Sequence, residues 1–397
     1  MMKLKNLAIA SACAALLSAC GGGDGDSTSA ASVKQLYAQT NETNNSVLQF
    51  DRNPDGTLAP RGRIATGGKG TNGVNYFQHN GVVADALSSN RSVIVSPDEK
   101  RLFVANAGDN TVSIFNIDRK TGELRLLKSN PTDGIRPTSL SLNDDILYVT
   151  HQEGEKQLGA YKVGLNGSLT KLGDYATLPG DALLTQVEVS PDHRSVVVNG
   201  FLDAVNPRKP GSTIMTFPIH ADGTLGKPTS TTTLGMGPFG GRFGNGKLGA
   251  VYVTAEAVSS SLSTYMLRDG KLEGVSGPIA STGQGAPCWL VVTPDNRFVY
   301  TGDGSGAVSL FSLDADGRAT LVNATAAEEP PHVSGASKTS LAADAWISAD
   351  GKFLYQDYFG ADKIVSYAIQ PDGSLVKVGE QAANTETHVS LQGLAGI

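Results

Sequence analysis

The chain has 397 residues, 47 of them glycine, with 40% hydrophobic and 18% charged residues and a formal net charge of -6. That balance excludes a nucleic-acid surface, which needs concentrated lysine and arginine against phosphate, and no basic run or aromatic stacking motif interrupts the acidic background. Length alone suggests two or three domains, but a closed ring of repeats can use a chain of this size as one body.

The first twenty residues read as an address. Lys3 and Lys5 precede an apolar stretch from Leu7 to Leu17, which ends in Leu17-Ser18-Ala19-Cys20. A basic head, a short apolar segment and small residues at its end make a secretory signal, too short and wrongly flanked for a stable span. The ending resembles the bacterial lipobox, which implies cleavage before Cys20 and lipidation of that cysteine. Acyl chains contribute about 0.8 kcal/mol per buried CH₂, so two or three of them anchor a protein stably. Residues 21–32, Gly-Gly-Gly-Asp-Gly-Asp-Ser-Thr-Ser-Ala-Ala-Ser, read as a flexible tether, and the folded body is expected over 33–397. The expected place is therefore the bacterial cell envelope, outside the cytoplasm and held to the membrane through Cys20.

The body repeats one hairpin. A turn of the form Asp-Gly or Asn-Gly (Thr-Gly once) between alternating runs appears at Gly56, Gly122, Gly167, Gly223, Gly270, Gly317 and Gly373. Glycine at the turn adopts positive φ without a Cβ clash, which makes this a strong hairpin signal. Seven such turns, roughly 45 to 66 residues apart, are the signature of a β-propeller built from four-stranded blades. The clearest unit places strand A at Ser92 to Ser96, B at Arg101 to Asn106, C at Thr111 to Ile117 and D from Leu124 to Leu127. The expected fold is all-β, a seven-bladed propeller with four-stranded antiparallel blades at about 33–64, 92–129, 137–174, 184–229, 238–275, 286–322 and 341–380. The first unit lacks a strand A, and His388 to Leu394 is expected to supply it and close the ring, leaving no open edge.

In this topology A–B and C–D turns share one face, and B–C loops and D–A crossovers share the other. The three long insertions, Ala65 to Arg91, Phe201 to Gly211 and Val322 to Ser340, fall on the second face, which is where function is expected. Gly68 to Gly73 matches G-x-G-x-x-G without the strand-to-helix context that binds a dinucleotide, and reads as a flexible insertion. No G-x-S-x-G elbow occurs, and His79, His151, His193, His220, His332 and His388 are scattered without metal-ligand spacing. Of three cysteines only Cys288 lies in the body, so neither an internal disulfide nor a cysteine metal site can form there. No cofactor or metal is expected, and the body reads as a monomer. Trp289 and Trp346 fall in strands A of neighbouring blades, where an indole either stacks on a ligand or plugs the channel. Asp344 beside Trp346 is a candidate channel carboxylate.

The blade segments Leu102-Phe103-Val104-Ala105-Asn106 with Val112-Ser113-Ile114-Phe115, Arg297-Phe298-Val299-Tyr300, and Ser348-Ala349-Asp350-Gly351-Lys352-Phe353-Leu354-Tyr355 resemble those of the seven-bladed propeller lactonases. That family includes 6-phosphogluconolactonases and carboxymuconate-cyclising enzymes, and its blade motif is shared with YVTN-type propellers. The resemblance implies a site of histidine, arginine and carboxylate around the channel. The family pattern Asn-Glu-Leu-x-Ser-x-Val falls on Ala255-Glu256-Ala257-Val258-Ser259-Ser260-Ser261-Leu262, which makes Glu256 the implied carboxylate. Gly-Pro-Arg-His falls on Gly237-Pro238-Phe239-Gly240, leaving Arg242 as the substitute cation. Ala-Ala-Asp-Ile-His falls on Ala342-Ala343-Asp344-Ala345-Trp346, with tryptophan in place of histidine.

Two functions follow as expectations. The first is a lactone hydrolase in which Arg242 or a main-chain donor stabilises the oxyanion and Glu256 or His79 activates water, with Asp344, Trp346 and Trp289 as ligand contacts. The second is a non-catalytic envelope propeller that binds a ligand or a protein on its loop face. Replacing Cys20 by alanine is expected to abolish membrane association, and unchanged membrane fractionation of that variant would refute the anchor.

Overall fold

The structure is a computed structural model that describes residues 34–75 and 81–397. The signal segment, Cys13, Cys20, the tether and His79 lie outside the described residues. Among those described, 28 strands form seven four-stranded antiparallel sheets, and helix is limited to two 3₁₀ turns, Gly246–Leu248 and Phe359–Ala361. Blade 1 takes its strand A from the chain's end. Gln392–Gly396 pairs with strand B at Gln35–Gln39, with Tyr37 opposite Ala395 and Ala38 opposite Leu394. The closure is as expected, but the closing strand begins four residues later. His388 sits before it in a left-handed conformation, with Nδ1 3.2 Å from Asp362 Oδ2.

Strands A of blades 2 to 7 are Val93–Val95, Ile135–Asn143, Leu183–Val189, Pro238–Phe243, Pro287–Val292 and Ala342–Ile347. They form the inner wall. Ser139 and Ser141 of blade 3 accept the N–H groups of Val187 and Val189 in blade 4, so adjacent inner strands touch directly.

All seven turn glycines adopt φ between 72° and 84°. Six of them also face the preceding blade closely, while a Cβ on Gly270 would meet nothing within 4 Å. A Cβ on Gly56 would lie 2.2 Å from Phe353, and one on Gly373 2.8 Å from Phe298. The strand B tyrosines Tyr148 and Tyr300 donate to the turn carbonyls of Gly223 and Gly373 in the following blades, at 3.0 and 2.7 Å. Each hairpin is thus a clasp between blades as well as a reversal.

Two expectations change. Residues 201–211 are mostly strand, because strands B and C of blade 4 extend over Ser195–Ala204 and Lys209–Pro218 and leave a short tip. Gly68 to Gly73 is an anchored segment, since Gly70 N–H donates to Glu42 O at 2.8 Å and Gly108 N–H to Lys69 O at 2.9 Å. Glycine allows that approach, as a Cβ on Gly70 would lie 2.2 Å from the Asn41 backbone.

Deleting 392–397 removes the inner strand of blade 1 and exposes Leu36, Leu394 and their neighbours. The expected result is a Tm lower by at least about 5 °C, given several kcal/mol of lost burial. An unchanged thermal scan would refute closure as a source of stability.

Candidate functional site

The D–A crossover that leads into blade 2 does not stay on the rim. Its last residues cross the channel and bond to the inner strands of four other blades. Ser89 Oγ donates to Thr138 O in blade 3, and Asn90 N–H donates to Thr185 O in blade 4. Trp289 Nε1 of blade 6 donates to Ser89 O at 3.0 Å, and Arg91 N–H donates to Asp344 Oδ2 of blade 7 at 3.2 Å. These partners occupy the third or fourth positions of their strands, so the segment crosses the channel at one level. Ala86 to Asn90 are buried, and Asp85, Ser88 and Arg91 take left-handed φ of 59°, 45° and 62°. Non-glycine residues in that region each cost roughly 1–2 kcal/mol, so these inter-blade bonds hold the segment against its local preference.

Beyond this cap lies a charged well. The Arg91 guanidinium forms an ion pair with Glu188 of blade 4, and Arg242 Nη1 of blade 5 lies 3.7 Å from the same Glu188 oxygen. Glu188 and Arg242 are the penultimate residues of their inner strands. The two guanidinia repel each other, and the shared carboxylate holds them together. Burial, then the Arg91 charge, draws Arg242 down to about 10, while Glu188 opposes that shift. Asp344 faces the same group. Burial pushes it up to about 7, against the pull of Arg242 and of the Arg91 N–H and charge. Side-chain exposures of 19% for Arg91 and 26% for Arg242 show that solvent reaches both. Two further acids adjoin Asp344. Asp85 and Asp357 are both driven upward by burial first and by the Asp344 charge second.

The proposed site residues separate. Arg242 and Asp344 meet in the well. Glu256 does not join them, because it is 0% exposed and its carboxylate accepts four hydrogen bonds. The donors are Gly235 N–H (2.8 Å), Tyr265 Oη (3.1 Å), Ser261 Oγ (2.8 Å) and Ser263 Oγ (2.7 Å). Blade 6 repeats the pattern with Asp303 accepting from Ser309, and blade 2 with Asn106 donating to Ser113. Glu256 thus sits at a recurring strand B position that ties B to C within a blade. In blade 3 that position is His151, where Gly159 replaces the serine. Its ring is buried without a partner, and burial lowers its pKa to about 4, so it is neutral.

Trp289 is buried in a series of edge-on rings, 5.2 Å from Phe239 and 5.6 Å from Phe359, and fills the wall beneath the cap. Trp346 is half-buried between blades 7 and 1, under the Arg52 guanidinium at 4.6 Å. His79 lies outside the described residues. Arg91 and Glu188 were missed by sequence reasoning. The available signal was charge inside an inner strand, since Arg136, Glu188, Arg242 and Asp344 are the charged residues of strands A. Among the described residues no three His, Cys, Asp or Glu side chains are arranged to hold a metal ion.

The fold and this geometry can be set beside known proteins. The family described as "Lactonase, 7-bladed beta-propeller" matches residues 29–179. A 6-phosphogluconolactonase of Pectobacterium atrosepticum is 25% identical over 301 residues, 72% of this chain and 82% of that protein. The enzyme of that name from Erwinia tasmaniensis is 26% identical over 271 residues, 67% of this chain and 76% of its own. A putative 6-phosphogluconolactonase from Bacteroides fragilis superposes with a TM-score of 0.68 at 16% identity, covering 94% of this chain and 99% of its own. The Pseudomonas aeruginosa periplasmic gluconolactonase gives 0.68 at 18% identity, covering 92% and 99%. The chain therefore resembles the seven-bladed propeller lactonases in sequence over its first blades and in fold throughout.

The raised acids set a pH dependence. Burial pushes Asp303, like Asp344, up to about 7, above its ordinary range. The native state keeps protons that the unfolded chain releases, so this contribution is complete below about pH 4 and is lost as pH rises through about 7. Asp303→Asn is expected to fold, since Asn106 fills that place in blade 2, and to flatten Tm against pH. A curve as steep as the parent's would refute the assignment.

Proposed function

We propose that the protein hydrolyses a lactone in the channel well, with Arg242 and Arg91 as the electrophilic pair and Asp344 as the proton carrier. The observation that carries this reading is the convergence of Glu188, Arg242 and Asp344 from three blades with Arg91 of the crossover, where solvent reaches both arginines. The names of the relatives support the reaction class. In this mechanism the lactone carbonyl oxygen lies against Arg242, and ionised Asp344 takes a proton from the attacking water. The tetrahedral oxyanion forms beside the two guanidinia, where a low-dielectric site strengthens its stabilisation. Cleavage of the ring C–O bond releases an alkoxide that receives the proton from Asp344, and the product is the open hydroxy acid. Glu188 touches neither reacting atom in this scheme and keeps the like-charged arginines in register. Glu256 holds strands B and C of blade 5 together. The lipid-anchored, extracytoplasmic placement through Cys20 belongs to the same proposal and rests on the sequence of residues 1–20.

A general base that titrates near 7 makes activity rise with pH through about 7. Asp344→Asn is expected to lower kcat by at least about 100-fold and Arg242→Gln by about 100- to 1,000-fold against a panel of five- and six-membered lactones. Glu256→Gln is expected to leave kcat near the parent value and to destabilise the fold by about 1–3 kcal/mol, because an amide cannot accept all four bonds. Full activity in Asp344→Asn, or loss of activity without loss of stability in Glu256→Gln, would overturn the assignment. A parent protein inactive on the whole panel would favour the non-catalytic reading.

A further inference from the structure

We propose that the well opens on the turn-bearing face and that its substrate is a lactone with an unbranched apolar chain, whose chain rests on a collar formed by the ends of the inner strands. The inference builds on the proposed lactone site and adds its mouth and its substrate class.

The cap fixes the direction. Ala86 to Asn90 cross the channel at the third or fourth residues of the inner strands and are buried, which shuts the end toward the crossovers. Arg242 and Glu188 lie beyond that level, one residue before their strands end. The solvent that reaches Arg91 and Arg242 therefore arrives from the A–B turn side. This reverses the expectation that the long loops mark the working face.

Aliphatic residues ring the mouth on that side. The inner strands of blades 2, 4, 6 and 7 end in Val95, Val189, Val292 and Ile347, Leu142 precedes the terminal Asn143 of blade 3, and Ile397 follows the strand of blade 1; these aliphatic residues stay partly exposed while packing against inter-blade clusters, and blade 5 ends in buried Phe243. Such packing alone would account for aliphatic residues here. The hydroxyls beside the mouth are, moreover, already engaged. Ser96, Ser190, Thr293 and Ser348 each donate to the aspartate of their own A–B turn, Asp98, Asp192, Asp295 and Asp350, at 2.6–2.7 Å. Asn143 Oδ1 is engaged by His193 Nδ1 at 2.5 Å. The rim thus offers aliphatic surface above two guanidinia, which complements a carbonyl or carboxylate head carrying a hydrocarbon tail.

The test is a series of γ- and δ-lactones with alkyl substituents from methyl to pentyl, given to the purified full chain beside a sugar lactone. Calorimetry of the matching hydroxy acids provides a binding readout that does not require turnover. Burying each methylene is expected to raise kcat/KM, or to lower the Kd of the hydroxy acid, by about fourfold. Val292→Thr, which keeps side-chain volume, and the smaller Ile347→Thr each add a hydroxyl at the rim and are expected to reduce that slope. Hydrolysis with no dependence on chain length, or a preference for the sugar lactone, would overturn the collar and leave the lactone reaction standing. Absence of hydrolysis with a chain-length slope in hydroxy-acid binding would overturn the reaction and leave the collar standing. Absence of both would overturn the collar together with the reaction.

Discussion

The contact between one blade and the next is the constraint on which the structure depends. No four-stranded sheet here has a core of its own, and its apolar faces are covered only by its neighbours, as the clusters spanning blades 3 and 4 or blades 5 and 6 show. The turn glycine serves that contact twice. It allows the tight reversal, and its missing side chain leaves room for Phe353 beneath Gly56 and Phe298 beneath Gly373. Tyrosine hydroxyls from the preceding blade then bond the turn carbonyls, so burial and hydrogen bonding act at one junction. Because every junction needs two blades, the first blade needs the last strand, and the Gln392–Gly396 pairing follows.

The closed ring places charge where a single blade could not. Arg91, Glu188, Arg242 and Asp344 come from positions up to 253 residues apart and share one small volume. Two arginines would separate without the carboxylate between them, and an isolated carboxylate at that depth would protonate. Asp344 lies between these limits, raised by burial and held back by the arginines. That balance gives a group able to change protonation near neutral pH, which proton transfer to and from a lactone requires.

Glu256 shows why motif and site diverge. Its local pattern matches a family carboxylate, yet its four donors and its equivalence to Asp303 and Asn106 give it the work of tying strand B to strand C. A linear pattern around a glutamate does not show whether its oxygens are already used. Asp344 was legible beside Trp346 in a strand A and Arg242 through the family pattern, whereas Glu188, also a charge within an inner strand, belonged to no such pattern. Arg91 was not, since it closes an insertion whose path across the channel is written in no local motif.

By itself the sequence determined the period, the count of seven, the positive-φ turns and the closure by the chain's end. These depend on residues close together in the chain, or on the need of every strand edge for a partner. Only the tertiary structure decided that Asp85 to Arg91 cross the channel and that Glu188 clamps two arginines which solvent still reaches. Those outcomes depend on which distant side chains share a volume and which of their polar atoms are already satisfied. Neither property is carried by the order of residues along the chain.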